Sequence, residues 1–321
     1  MSTIDDGPPF GPVVNGTMVV VFWEYRPNNV AAYLFLTLFA VATLGHVVYL
    51  FWLRAWVSIP FILGGVCQIF GYLERAAAHS LPTELGPWIL QNMLLLVSPP
   101  LLAATVYMAY GRMATALLNG TITTGHKQCD RNCCARWCHA LCCTCSPTRA
   151  YVLVDVVAIF TQLIGTVLPA SGTPEAQRMS KIIVVVGLVA QLAALGVFLA
   201  SGCWRLHVRL RRDPALSRAV LMDPGVNWTG YLVVVEIAAA MLLARSVVRG
   251  AEYLEGTDGV VARHEVFIYV FDALPMLAVI VGFLVLHPSR LVRELTRLET
   301  VVKGPETELR RLSQGSHRIL L

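Results

Sequence analysis

Arg245 and Arg249 are four residues apart and Glu252 follows three later, so a helix through them presents two guanidiniums and a carboxylate on one face. Glu74, Arg75, Gln91 and Asp272 occupy matching ends of other apolar stretches, which predicts a shared ionic cluster. Arginines pair bidentately with lipid phosphate, and Glu74, Glu252 and Asp272 suit an amine. With both signs together, a headgroup site and internal salt bridges both stay open. At the opposite ends of their stretches lie His46, Asp155, Glu236 and His287. Gln162 stands seven residues from Asp155, on a similar helical face, and Gln191 falls mid-stretch. Polar groups at every depth read either as interhelical hydrogen bonds or as a polar pathway.

Seven of the nine cysteines crowd into 17 residues: Cys129, Cys133, Cys134, Cys138, Cys142, Cys143 and Cys145. The steps are mostly of four and lack the paired Cys-x-x-Cys knuckles of a structural zinc site. S-acylation beside a membrane is the first reading, with soft-metal binding and mere composition as alternatives.

The elements that must position these groups follow from composition. The chain has 321 residues, 56% hydrophobic and 14% charged, about half the charge of an average soluble domain. A bilayer core about 30 Å thick needs roughly 20 apolar residues of helix, and seven stretches qualify. They run from 30 to 51, 57 to 77, 88 to 110, 150 to 168, 182 to 203, 230 to 248 and 266 to 286. The second carries Gln68, Glu74 and Arg75 and is the weakest. The expected fold is all-α, a bundle of seven transmembrane helices.

Segments 52–56, 111–149, 204–229 and 287–321 hold 18 of the 25 Lys and Arg residues. The positive-inside rule makes these segments cytoplasmic, with the N-terminus outside. The net charge of +5 thus concerns topology and anionic inner-leaflet lipid, and nucleic acid is not an expected partner. Residues 1–29 form the expected exterior tail, with Asp5, Asp6 and prolines in place of a basic signal-peptide start. Asn15 lies there in a glycosylation sequon, whereas the sequon at Asn119 falls on the inner side. Residues 30–288 make the membrane domain, with the cysteine-rich loop 113–149 as its longest insert. The tail 289–321 spaces Leu291, Leu295, Leu298 and Val302 as an amphipathic helix would. Pro60, Pro99, Pro100 and Pro275 predict local kinks. No phosphate-binding loop or local metal motif stands out, and no cofactor is expected.

Several ordered motifs resemble a known family. They are Tyr25-Arg26-Pro27, His46, GYLER at 71–75, SPPLLAATVYMAYGR at 98–112, Asp155, Gln162, Gly187 and Gln191. ARSVVRGAEYLEG at 244–256, HEVFIYVFDALPM at 264–276 and His287-Pro288 complete the series. On these the chain is similar to the fungal RTA-like lipid-translocating exporters. The resemblance implies seven helices with an outside N-terminus, residence in the plasma membrane, and handling of membrane lipids such as sphingoid long-chain bases. It implies a translocator that confers resistance to toxic amphiphiles, and no enzyme. A receptor-like sensor of lipid asymmetry is the second reading. A membrane hydrolase using His46, Asp155 and His287 as metal ligands is the third. The cysteine-rich loop departs from the family pattern.

Overall fold

The computed structural model describes residues 10–14, 17–20, 27–54, 56–80, 84–119, 147–168, 174–203, 208, 228–255, 265–291 and 293. Seven helical segments appear where the apolar stretches predict them. They are α1 (Asn29–Leu53), α2 (Ile59–Ala78), α3 (Leu85–Asn119), α4 (Pro147–Val167) and α5 (Pro174–Val197, continued by a π-helical turn Phe198–Cys203). Then come α6 (Trp228–Glu255) and α7, which runs as Glu265–Ile268, a π-helical segment Tyr269–Ala273, and Leu274–Val285. One addition to the all-α expectation precedes them, an antiparallel hairpin of β1 (Phe10–Val14) and β2 (Thr17–Val20) that pairs Val14 with Thr17. The sequence carries its signal, an Asn-Gly dipeptide separating two Val-containing runs.

Each helix packs on the next, α7 returns to α1, and α3 reaches across the ring to α6. Successive helices alternate in direction, so the bundle has one end where α1, α3, α5 and α7 begin, here the first end, and a second end where they finish. Six of the seven described helices are long and apolar enough to cross a membrane. The exception is α2, whose Gln68 and Arg75 are buried against neighbouring helices. Large apolar side chains point outward at helical intervals, such as Leu34, Val41 and Val48 on α1 and Leu153, Val157, Phe160 and Ile164 on α4. Polar side chains turn inward. This inverted arrangement is that of an integral membrane protein, in which lipid solvates the apolar exterior.

Two small-residue contacts set the spacing. A Cβ on Gly64 of α2 would come 3.1 Å from the Ser98 carbonyl oxygen and 3.0 Å from Leu102 of α3. The bare backbone at Gly64 is what lets the two helices approach. There the Ser98 hydroxyl donates to the Gly64 carbonyl at 2.9 Å and accepts from the Gln68 amide at 3.0 Å. On the far side, Ser180 of α5 donates to the Gly165 carbonyl of α4 at 2.6 Å, and Gln162 donates to Gln191 at 3.3 Å.

The four prolines divide by position. Pro60 stands in the first turn of α2, where a backbone N–H is not needed, whereas Pro275 follows directly on the π-helical segment inside α7. Pro99 and Pro100 lie inside α3, where each removes an N–H from the ladder.

Candidate functional site

At the first end the predicted ionic cluster assembles in part. The Asp272 carboxylate accepts from Arg245 Nε on one oxygen and from Arg249 Nη2 on the other, both at 2.6 Å. Asp272 sits in the π-helical segment of α7, whose extra residue per turn changes the direction of the side chain. Arg249 also holds Glu252 at 2.8 Å, as the three-residue spacing predicts. Arg245 donates its other terminus to the Leu95 carbonyl of α3 at 2.6 Å. That carbonyl stands four residues before Pro99, which has no N–H to offer it, so the arginine replaces the missing helical donor.

Arg75 joins through Glu265, a residue that the sequence analysis did not name in the cluster. It donates to Glu265 at 2.9 Å and to the Tyr269 hydroxyl at 3.1 Å, with its guanidinium 5.3 Å from the Tyr269 ring centroid. Glu265 also accepts from Tyr269 at 3.1 Å and from the backbone N–H of Asn28, the N-cap of α1, at 2.8 Å. Tyr72, stacked between Phe39 and Tyr269, lies in the field of both Arg75 and Asp272. Glu74 makes none of these contacts and is half-buried. Neighbouring helical residues point about 100° apart, so the face that buries Arg75 turns Glu74 aside. Among the described contacts the network joins three guanidiniums to three carboxylates.

At the second end His46 and His287 come together, their rings 5.9 Å apart. His46 donates from Nε2 to the Ile280 carbonyl at 2.9 Å. His287 accepts at Nδ1 from the Ser289 N–H at 3.3 Å, so its Nε2–H is the side that faces Ser58 Oγ at 3.4 Å. Both histidines line a cavity of about 300 Å³. Its remaining polar walls are Ser58, Thr105, Ser289, Arg54, Arg112 and Arg293, and among the described residues no carboxylate lines it. Asp155 does not join the two histidines; among the described residues no three His, Cys, Asp or Glu gather as metal ligands. The third reading therefore loses its ligand set: α4 carries Asp155 to Tyr107 of α3 instead, where neither carboxylate oxygen completes a hydrogen bond.

Between the ends runs a feature that sequence reasoning missed. Gln91, Ser98, Thr105 and Arg112 recur every seven residues on α3, nearly two helical turns each, and so share one face. Gln91, Ser98 and Thr105 are buried, and the stripe covers roughly 30 Å at 1.5 Å per residue, the thickness of a bilayer core. The signal was legible as spacing. Several inward atoms have no protein partner: Gln91 Oε1, Thr105 Oγ1, Tyr107 Oη, Gln162 Oε1, Gln191 Nε2 and His46 Nδ1. Glu236 is half-buried on α6. Asn15 and all seven loop cysteines lie outside the described residues.

A profile of the family described as RTA1 like protein matches residues 61–124 and 143–295, well over half the chain. The chain belongs to the RTA1-like family. Within this RTA1-like protein the match breaks at 125–142, the stretch that carries Cys129, Cys133, Cys134, Cys138 and Cys142. Three relatives come from Saccharomyces cerevisiae. Protein RTA1 is 28% identical over 83% of this chain and 84% of its own length. Protoporphyrin uptake protein 1 is 31% identical over 70% of this chain and 66% of its own length, just under two thirds. Sphingoid long-chain base transporter RSB1 is 21% identical over 76% of this chain and 67% of its own length. The names of the last two describe amphiphile transport and uptake, and none names an enzyme.

Proposed function

We propose that this RTA1-like protein carries charged amphiphiles, sphingoid bases among them, across the plasma membrane through the polar interior of its helical ring. The observation that carries the reading is the seven-residue polar stripe on α3, from Gln91 past Ser98 and Thr105 to Arg112. An unpaired buried polar group costs about 1 to 3 kcal/mol. Gln91 and Thr105 on the stripe, with Tyr107, Gln162 and Gln191 beside them, leave such atoms inside a membrane bundle and therefore have value as a path, in which water or a passing headgroup supplies the missing partners. The relatives named for transport of a sphingoid base and uptake of a porphyrin support the same class of cargo. The first end, with the N-terminal segment, is exterior and the second end cytoplasmic, on the strength of the basic residues gathered there.

In this reading the ionic network at the first end holds α2, α6 and α7 in register, because its charges already compensate one another. A phosphate there would have to displace Asp272 from two arginines. The test is purified protein in liposomes with a fluorescent sphingoid base. Crossing faster than in empty liposomes, and slowed severalfold by Gln91→Leu with Thr105→Val, is the expected result. Crossing at the empty-liposome rate would overturn the proposal.

A further inference from the structure

The cavity at the second end is a site in its own right. Arg54, Arg112 and Arg293 reach it from the C-terminal end of α1, from α3 and from just beyond α7, so three separate elements contribute one guanidinium each. Among the described residues no acidic side chain lines it, in contrast to the network at the first end. Two buried groups on its wall also lack protein partners. His46 is 1% exposed and has no partner at Nδ1, and Thr105 is 4% exposed with none at its hydroxyl. Ser58 adds a third hydrogen-bonding group, because His287 approaches its oxygen as donor and leaves the serine proton free to be given elsewhere. Leu53, Phe61 and Phe283 supply an apolar wall, with the two phenylalanine rings stacked at 5.2 Å.

Arg54 is held there by its backbone. It caps α1 with φ 49° and ψ 40°, the left-handed conformation, and its N–H bonds to the Leu50 carbonyl. Glycine is the residue that adopts this conformation without strain, and an L side chain there is disfavoured. Among the described residues the guanidinium of this arginine, at a position that suits glycine, has no hydrogen-bond or ion-pair partner and faces a cavity that no described carboxylate lines. The neighbouring Arg290 is different in kind: it is occupied by the Tyr49 hydroxyl at 2.6 Å and does not line the cavity.

We infer that this cavity binds a phosphate monoester, with the three arginines around its oxygens, Ser58 and Thr105 donating further hydrogen bonds, and the free Nδ1 of His46, whose Nε2–H is committed to Ile280, accepting from a phosphate O–H. A monoester presents three terminal oxygens, which suits several convergent donors better than the two of a carboxylate. The volume of about 300 Å³ admits a headgroup and leaves a hydrocarbon chain to leave along the apolar wall or into the bilayer. The phosphate can be carried by a single-chain lipid or by a soluble ester. This deepens the translocator reading, since Thr105 and Arg112 also end the polar stripe, but the two fail separately: binding is read at equilibrium and needs no transport.

The test uses the full chain in phosphatidylcholine nanodiscs, titrated with oleoyl lysophosphatidic acid, oleate, oleoyl lysophosphatidylcholine and glycerol 3-phosphate. Lysophosphatidic acid binding at least tenfold tighter than oleate and the zwitterion is expected. Arg54→Gly should weaken it about tenfold while leaving the unfolding temperature unchanged or raised, which separates lost binding from lost folding. Thr105→Val should weaken it severalfold. Displacement by glycerol 3-phosphate at comparable concentration supports the site with a soluble ester as its source; binding that requires the acyl chain supports it with a lipid source. Lysophosphatidic acid bound no better than oleate, or bound equally by wild type, Arg54→Gly and Arg112→Gln, overturns it. Sphingoid base crossing that persists in that event would leave the transport proposal standing.

Discussion

Asp272 serves two cations at once, and this ranks the residues of the first end by the damage their loss does. Truncating it leaves Arg245 and Arg249 both buried, at 1% and 5% exposure, with one carboxylate fewer between them. Breaking a buried pair by removing one partner costs about 3 to 5 kcal/mol. Asp272→Ala is therefore expected to be more destabilising than Arg249→Ala, which leaves Asp272 bonded to Arg245 and leaves Glu252 on the rim with access to water. Arg75→Ala should be milder still, because Glu265 keeps Tyr269 and the Asn28 N–H as donors. Thermal unfolding in detergent, followed by fluorescence size-exclusion, gives the order; equal stability of wild type and Asp272→Ala would refute the network as a folding element. Arg245, Arg249 and Glu252 were legible at this scale from three- and four-residue spacing alone. Glu265 was not, because its role depends on α2 and α7 meeting across 190 residues of chain.

For the helices, one contact sensitive to size is that of α2 with α3. A side chain at Gly64 would meet a backbone carbonyl, which unlike a flexible side chain cannot swing away. Gly64→Val should destabilise the protein by about 1 to 3 kcal/mol, the usual cost of overpacking. Gly250 on α6 is the control, since nothing lies within 4 Å of a Cβ added there. Gly250→Ala should be neutral or stabilising by about 0.5 to 1 kcal/mol through reduced backbone freedom in the unfolded chain. Chemical denaturation of the three proteins in the same detergent distinguishes these outcomes, and a destabilised Gly250→Ala would show that helix packing is read wrongly. The prolines teach the same lesson of context. All four appear alike in sequence, but Pro60 starts α2, Pro275 follows the π-helical segment within α7, and Pro99 frees the Leu95 carbonyl that Arg245 then takes.

On the molecular scale, the proposed orientation of the bundle rests on where the basic residues fall, and it can be checked directly. A C-terminal tag should be protected in sealed right-side-out vesicles and Asn15 should be the glycosylated sequon; a glycan on Asn119 would reverse the assignment. Seven helices and their approximate bounds were determined by the sequence itself. Each must span a fixed bilayer thickness while satisfying its own backbone hydrogen bonds, and both demands are local. The α3 stripe was equally present in the sequence, as a seven-residue recurrence. What only the tertiary structure decided is which faces of those helices turn toward each other. Apolar exteriors on several sides of a helix leave its rotation open, so sequence could not tell that Arg75 meets Glu265, that Asp155 stands apart from His46, or that Arg54, Arg112 and Arg293 share one cavity with two histidines. Those pairings arise from close packing of segments as far as 240 residues apart, where a rotation of a few tens of degrees exchanges one neighbour for another.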